Sequence, residues 1–383
     1  LTTSPPACEA APPVLGPHRS SPCAARTSTG ARSATLRIAL IASTRYPLRE
    51  PFAGGLEAHS WQLARALGER GHDVCVFAGP GSDPDLHVHE TPPMPALSDA
   101  ARKDVSMPPE YFLAEHSAYL TLMLGLLDGG YDVVHNNSLH YLPIAMADAL
   151  GCPMLTTLHT PPTPWIESAV AARPAPRSRF AAVSRVTAEQ WRPTIPEPWV
   201  VPNGIDLARW VPGPGGGVPV WSGRIVPEKG LDLAIEAART AGTGLRIAGP
   251  RPDAGYFARC IEPRLGDGIE YLGHLDHRRL CSLVGSASVA VVSPRWEEPY
   301  GLVVAEALAC GTPVAAFGRG ALPDLIDGTN GVLAPADDVV GLAAAIRGAA
   351  RLGRAGVRRS AERTCSVDVM VDRYERLYRR MIR

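Results

Sequence analysis

From residue 36 onward the apolar positions follow two alternating rhythms. Leu36–Ser43 (LRIALIAS), His72–Phe77 (HDVCVF), Asp132–His135 (DVVH), Pro153–His159 (PMLTTLH) and Phe180–Ser184 (FAAVS) are short, near-continuous apolar runs, the pattern of strands buried on both faces. Between them, Leu56–Arg70, Glu110–Leu127 and Tyr141–Leu150 place apolar residues at helical spacing. Strand, helix, strand without hairpin turns predicts a parallel sheet covered on both sides, so residues 36–201 are expected to form a Rossmann-like doubly wound domain. Gly and Pro then crowd together in Pro202–Pro219 (PNGIDLARWVPGPGGGVP), which no sheet or helix interior tolerates, and 202–217 is expected to be an interdomain linker. The alternation resumes over 218–365. Strands are predicted at Val220–Gly223, Leu245–Ala248, Ile269–Leu272, Val289–Ser293, Pro313–Phe317 and Gly331–Leu333, with helices near 230–240, 276–285, 301–310 and 338–350. The fold class expected is α/β: two Rossmann-like doubly wound parallel-sheet domains with an interdomain cleft. Residues 366–383 read as a C-terminal helix able to pack back onto the first domain.

Composition adds boundaries. A chain of 383 residues with 45% apolar content suits two cored domains. Residues 1–35 hold seven Ala, six Pro, five Ser and five Thr with few large aliphatics, and are expected to be disordered. No run approaches the ~7–15 apolar residues of a secretory signal or the ~20 of a membrane span, so a cytoplasmic location is expected. Lys+Arg and Asp+Glu balance at 38 each, which removes any global field that would draw the chain onto nucleic acid. Arg351–Arg383 does carry ten Arg against four acids. That excess reads as a solvated helix face, with weak peripheral contact to an anionic membrane as the other reading. Eight cysteines stand singly with no C-x-x-C spacing, and are expected to be reduced and mostly buried. Nothing in the sequence speaks to oligomeric state. Of the 38 basic residues only Lys103 and Lys229 are lysines. A surviving Lys therefore marks a place where a compact ammonium is needed and a guanidinium fork is not equivalent.

Open parallel sheets bind ligands beyond the carboxyl ends of their strands, so the strand-to-helix loops of both halves are where chemistry is expected. The most specific stretch is Pro294–Thr312, PRWEEPYGLVVAEALACGT. Glu298 and Glu306 lie eight apart, and one unbroken helix would place them roughly 80° from a shared line. Pro299 and Gly301 predict instead that Glu298 sits in a loop and Glu306 inside the helix that follows. The amides of Gly301, Leu302 and Val303 then face outward as free donors suited to a diphosphate. One carboxylate is placed to take sugar hydroxyls and the other a ribose diol. In Gly223–Gly230 (GRIVPEKG), Arg224 follows a strand and Lys229 opens a helix, so both can converge on that diphosphate. Gly54–Gly55 ends the loop after the first strand and would let backbone approach phosphate or sugar. His159 closes a strand at the predicted cleft before the rigid Thr160–Pro161–Pro162 turn, and His135 has a comparable address.

The string EPYGLVVAEALACGTPV resembles the E-x7-E signature of the family 4 retaining glycosyltransferases, whose fold is the GT-B pair of Rossmann-like domains. FAGGLEAHSWQLARALGERGHDV, TTLHTPP, the AVS strand, VPNGID and GRIVPEKG agree with that family in order and position across roughly 37–381. The family usually has Phe where this chain has Tyr300. The resemblance implies a retaining transfer of a hexose from a UDP- or GDP-linked sugar to a hydroxyl acceptor, without a required metal or other cofactor. By the same resemblance Arg224 and Lys229 hold the donor phosphates and stabilise the departing nucleotide. Gly54, Gly55, Gly301, Leu302, Val303 and Glu306 bind donor, Glu298 and His159 meet its sugar, and the catalytic set is Glu298, His159, Arg224 and Lys229. The partners implied are a nucleotide-sugar donor and a glycan, glycolipid or small-metabolite acceptor, the latter met by the loops Ser98–Tyr111 and Pro164–Pro176. Rival readings are a nucleotide-sugar epimerase of similar architecture and a non-catalytic sugar-nucleotide-binding protein. Asp83–Pro84–Asp85 spells a metal-binding D-x-D and His87–Val88–His89–Glu90 offers ligand atoms, yet neither has the spaced partners a metal site needs. No G-x-x-x-x-G-K-[ST] occurs and no G-x-G-x-x-G follows the first strand, which argues against a P-loop kinase and a nicotinamide enzyme.

Overall fold

The computed structural model describes residues 35–172 and 178–383, which form one compact unit. The disorder expected for 1–35, and Cys8 and Cys23 with it, fall almost wholly outside the described residues. The first sheet is built from β1 (Arg37–Ile41), β2 (Asp73–Ala78), β3 (Val88–Glu90), β4 (Val133–Asn136), β5 (Met154–Leu158), β6 (Ser178–Ala182) and β7 (Trp199–Val200). Its order is β3-β2-β1-β4-β5-β6-β7 with every pairing parallel. Helices α1 (Gly55–Glu69), α2 (Asp99–Arg102), α3 (Glu110–Leu126), α4 (Tyr141–Met146), α5 (Pro164–Ala172) and α6 (Arg185–Trp191) connect these strands. The second sheet contains β8 (Val220–Ser222), β9 (Leu245–Ala248), β10 (Ile269–Tyr271), β11 (Ala290–Val292), β12 (Val314–Phe317) and β13 (Gly331–Ala334), in the parallel order β10-β9-β8-β11-β12-β13. It carries α7 (Leu231–Ala241), α8 (Ala254–Tyr256), α9 (His277–Ser286), α10 (Leu302–Ala309), α11 (Leu322–Leu325) and α12 (Val339–Ala349), and α13 (Arg354–Thr364) and α14 (Val367–Ile382) follow.

These are two Rossmann-like parallel sheets in the GT-B arrangement, and their central strands are as apolar as strands covered on both faces must be. Ile38, Ala39, Leu40 and Ile41 are fully buried, as are Val314, Ala315, Ala316 and Phe317. The covering helices bury one stripe each: in α7 it is Leu231, Ala234, Ile235 and Ala238, at spacings of three and four. Two edge strands escape the apolar pattern. β3 and β7 are three and two residues long, too short to show a rhythm. The loop expected at Pro164–Pro176 is instead helix α5 from Pro164 to Ala172, with Pro164 in the first turn where its missing N–H costs nothing; residues 173–176 lie outside the described residues. Ser98–Tyr111 likewise contains the short helix α2, capped by Ser98, and the start of α3.

Both sheets have their topological switch beside the strand that opens them. β1 lies between β2 and β4, and β8 between β9 and β11. The chain leaves adjacent strands in opposite directions there, opening a crevice at their carboxyl ends. The loops after β1, β8 and β11 therefore gather at one place.

Helix α14 leaves the second sheet and joins the core of the first domain. Met370, Val371, Tyr374 and Tyr378 form its buried stripe, packed with Leu63 and Leu67 of α1 and Leu155 of β5. Its outer face is tied down by Arg70, which pairs with Asp368 and Asp372. The Arg-rich tail is partly structural: Arg354 donates to the carbonyls of Ala287, Gly285 and Cys310, and Arg358 to those of Trp210, Ala309 and Leu207.

Candidate functional site

Loops from both sheets line a single cavity of about 420 Å³. The first domain contributes Ser43–Ala58 discontinuously, together with Leu139, His159 and Thr160; the second contributes Arg224, Lys229, Pro250, His274 and the stretch from Val291 to Glu306. Every donor-site and catalytic residue predicted from the sequence lies on this lining, whereas His135 and the acceptor segments Ser98–Tyr111 and Pro164–Ala172 do not.

The second domain supplies the charged floor. The loops after β8 and β11 are fastened to each other, Ser293 Oγ donating to Gly230 O (2.9 Å) and Arg295 N to Glu228 O (2.8 Å). Arg295 also clamps Asp232 of α7 through two 2.7 Å bonds. These ties bring Lys229 Nζ to 2.6 Å from Glu298 Oε2, a pair whose side chains are 22% and 12% exposed. Trp296 Nε1 donates to the same oxygen at 3.0 Å, and the Lys229 ammonium lies 4.9 Å from the Trp296 ring centroid. A compact ammonium makes both contacts here as a point charge, where a guanidinium would have to present a planar fork. Glu298 O accepts from Ala321 N, which fixes the loop from behind.

Next to this pair, α10 begins at Gly301. Its φ of +95° is open to glycine, and a Cβ there would meet Leu322 Cδ2 at 2.6 Å. Leu302 and Val303 line the cavity, and the amides of a first helical turn have no intrahelical acceptor, so this end of α10 offers free donors there. Glu306 lies one turn further on. Burial, reinforced by the neighbouring Cys281, pushes its carboxyl up to about 7.

The first domain closes the other side. A Cβ on Gly55 would stand 2.8 Å from Leu302 Cδ1, so this loop abuts the opposite domain's helix. Arg224 crosses to Gly54, its Cδ and Nε 4.0 Å from where a Cβ would be. Glu57 of α1, which the sequence reading passed over, sits buried at the same spot. Desolvation raises its carboxyl, opposed by the charges of Arg224 and Arg45. The signal was present: Glu57 follows the glycine pair in the first turn, where a carboxylate complements the helix terminus.

His159 lines the cavity with Nε2 2.8 Å from Asn137 Oδ1. Desolvation, with His59 and His135 nearby, holds its imidazole well below the usual value, hence neutral. His135 is a correction to expectation. It is fully buried behind the sheet, bonded to Tyr378 Oη and Thr157 Oγ1 at 2.7 Å each, because α14 covers that end of β4. The cysteines also differ from expectation: among the described residues Cys281, Cys310 and Cys365 are buried, while Cys75, Cys152 and Cys260 are partly exposed. Asp83 serves structure, accepting from Trp61 Nε1 and Asp85 N. His89, in edge strand β3, stacks on Phe77. No cluster of three or more potential metal ligands occurs among the described residues.

Two parallel sheets with switch-point loops facing one cavity are the GT-B arrangement, and Arg224 and Lys229 put two cations on its floor. Comparison with known proteins agrees. The Glycosyltransferase Family 4 signature matches residues 53–209 and the Glycosyl transferases group 1 signature residues 217–351. A glycogen synthase of Mycobacterium tuberculosis is 30% identical over 357 residues, covering 80% of this chain and 84% of its own length. A D-inositol 3-phosphate glycosyltransferase of Geodermatophilus obscurus is 31% identical over 405 residues, covering 88% and 89%. Among solved structures, sucrose-phosphate synthase from Thermosynechococcus elongatus superposes with a TM-score of 0.74 at 22% identity, over 90% of this chain and 99% of that one. HepE of Anabaena in complex with UDP-glucose gives 0.70 at 16%, over 89% and 99%. The chain belongs to the GT-B glycosyltransferases.

Proposed function

We propose that this protein is a family 4 enzyme that transfers a hexose, with retention at the anomeric carbon, from a UDP- or GDP-linked donor to a hydroxyl of a glycan, glycolipid or small-metabolite acceptor. The observation that carries the reading is the contact of Lys229 with Glu298 beside the α10 N-terminus, with Arg224 reaching Gly54 across the cleft.

The donor diphosphate lies against Arg224, Lys229 and the amides of Leu302 and Val303. Negative charge that builds on the leaving diphosphate meets fixed cations and dipoles needing no reorganisation, so a metal is not required for that step. Glu298, held by Lys229 and Trp296, receives hydroxyls of the hexose, and Glu306 takes the ribose diol. Neutral His159 reaches the sugar from the opposite domain and polarises a hydroxyl there. Closure of the Gly54–Gly55 loop expels water and suppresses donor hydrolysis.

The test is nucleotide release by purified protein offered UDP-, GDP- and ADP-hexoses with candidate acceptors. Acceptor-dependent release with a retained anomer, abolished in Glu298→Ala and Lys229→Ala, supports the reading. Epimerised donor without transfer, or tight donor binding without turnover under every acceptor, refutes it.

A further inference from the structure

Cys281 and Cys310 stand 29 positions apart in sequence, yet their Sγ atoms lie 3.9 Å from each other, both buried and both free. Cys281 is on α9 one turn beyond His277, and Cys310 caps α10 one turn beyond Glu306, its N–H donating to Glu306 O at 3.1 Å. His277 and Glu306 both line the donor cavity. Each cysteine is thus one turn from a lining residue, and Cys281 is near enough to Glu306 to raise its carboxyl. The two sulfurs need approach by only about 2 Å to reach a disulfide bond length.

We propose that Cys281 and Cys310 are a reversible disulfide site whose closure weakens donor binding, an inference that rests on the donor reading above for its consequence but not for the bond itself. The pair is chemically unequal. The hydrogen bond from Cys310, aided by His277, lowers the Cys281 thiol to about 6, and the same bond together with burial drives Cys310 far upward. Cys281 is thereby the more acidic of the two and Cys310 the one that holds its proton more tightly, which is the order of an attacking and a resolving thiol. The oxidant is a hydroperoxide. Cys281 thiolate attacks the peroxide oxygen, the O–O bond breaks, and a sulfenic acid forms as hydroxide leaves and takes up a proton. Cys310 sulfur then attacks Cys281 sulfur, the S–O bond breaks, and the departing hydroxide takes the Cys310 proton. Two thiols and one hydrogen peroxide give one disulfide and two waters, the two sulfurs together losing two electrons.

Closing that gap draws the last turn of α10 and the middle of α9 together, and Glu306 moves with the former. Misplacing a positioned group by about 1 Å can cost up to 10²-fold in rate, and the same shift takes Glu306 away from where it would meet the nucleotide.

The experiment uses the full chain. Protein is treated with equimolar hydrogen peroxide, remaining thiols are alkylated, and intact mass and linked peptides are read. UDP, GDP and ADP binding is measured by calorimetry before oxidation, after it, and after dithiothreitol. The expected result is a loss of about 2 Da mapped to Cys281–Cys310, with nucleotide affinity falling on the order of tenfold and returning on reduction. Cys281→Ser should bind like reduced protein and form no link with peroxide, whereas Cys310→Ser should gain oxygen at Cys281 and form no link. Alkylation of both cysteines after oxidation, or over-oxidation of Cys281 without a link, overturns the proposal. A mapped link with unchanged affinity overturns its consequence. If the reduced protein binds none of the three nucleotides, the donor reading fails and the switch with it, whereas a mapped link would still establish the modification site.

Discussion

Glu306 is the lone charged residue of an otherwise apolar helix, and its carboxyl is pushed up to about 7 by burial and by Cys281. In the unfolded chain it titrates near 4.5. Between these values the folded state holds a proton the unfolded state has lost, so this group's contribution to stability falls as pH rises from about 4.5 to 7 and is flat above. Glu306→Gln should remove that slope. Urea midpoints of variant and wild type, measured from pH 4.5 to 8, should diverge by a few kcal/mol at most in favour of the variant toward high pH; parallel curves would sink the idea. Lys229 poses the complementary question, since Lys229→Arg keeps the charge but not the shape beside Glu298 and Trp296. Turnover should fall by roughly 10²-fold or more while the melting temperature moves little. Wild-type turnover in that variant would mean that only charge is needed there. Both residues were legible in sequence because Lys229 sits in a loop and Glu306 in the helix just after one, where neighbours such as Pro227, Pro299 and Gly301 announce a break in regular structure. Asn137 was not, because it matters through its 2.8 Å bond to His159, and Glu57 showed only its place after the glycine pair, not the arginine of the other domain that it meets.

At the scale of elements, the apolar rhythm revealed each strand long enough to bury several consecutive side chains, and missed β3 and β7, which are not. It read the Pro164 region as loop because flanking prolines interrupt the pattern, although Trp165–Ala172 continues it. In sequence His135 is open as a site residue, since a strand end next to a cleft and one covered by a distant helix look alike until α14 is placed. That helix meets the first sheet through a polar layer as well as an apolar one. Tyr378 Oη bonds His135, which bonds Thr157, which also contacts Tyr374 Oη at 3.2 Å. Tyr378→Phe leaves one imidazole nitrogen unpaired inside the core and should cost about 1–3 kcal/mol in denaturant titration; a neutral result would mean the layer is merely tolerated. His59 lies beside it, edge-on to the His159 ring at 4.9 Å, with burial lowering its imidazole to about 4. A depressed imidazole stabilises the fold only while it stays neutral. Stability from His59 and its two neighbours is therefore present above the unfolded value of about 6.5 and is lost as pH falls toward 4. Equilibrium unfolding followed downward from pH 7 should show that loss, and His59→Leu should blunt it.

For the whole molecule, the return of α14 makes the two sheets thermodynamically dependent. Residues that follow the second domain in sequence complete the core of the first, and the linker is held between them: Ile205 N donates to Cys365 O, Val367 N to Ile205 O, and Gln62 Nε2 of α1 to Gly204 O. Tyr300 Oη, next to the donor helix, donates to Asn203 O of the same linker at 2.6 Å, a bond that a phenylalanine in its place would lack. Unfolding either domain strips partners from the other, so the pair should melt together in a single calorimetric transition whose van't Hoff and calorimetric enthalpies agree. Nucleotide added at 100 times its dissociation constant should raise the whole transition, by about 2.7 kcal/mol, although the contacts proposed for it lie mostly in the second domain. Removing the helix beyond Ser366 should divide the melt in two and confine the nucleotide's effect to the second domain's transition. Two resolved transitions in the intact chain, only one of them moved by nucleotide, would show that the domains are independent and that α14 packs without coupling them.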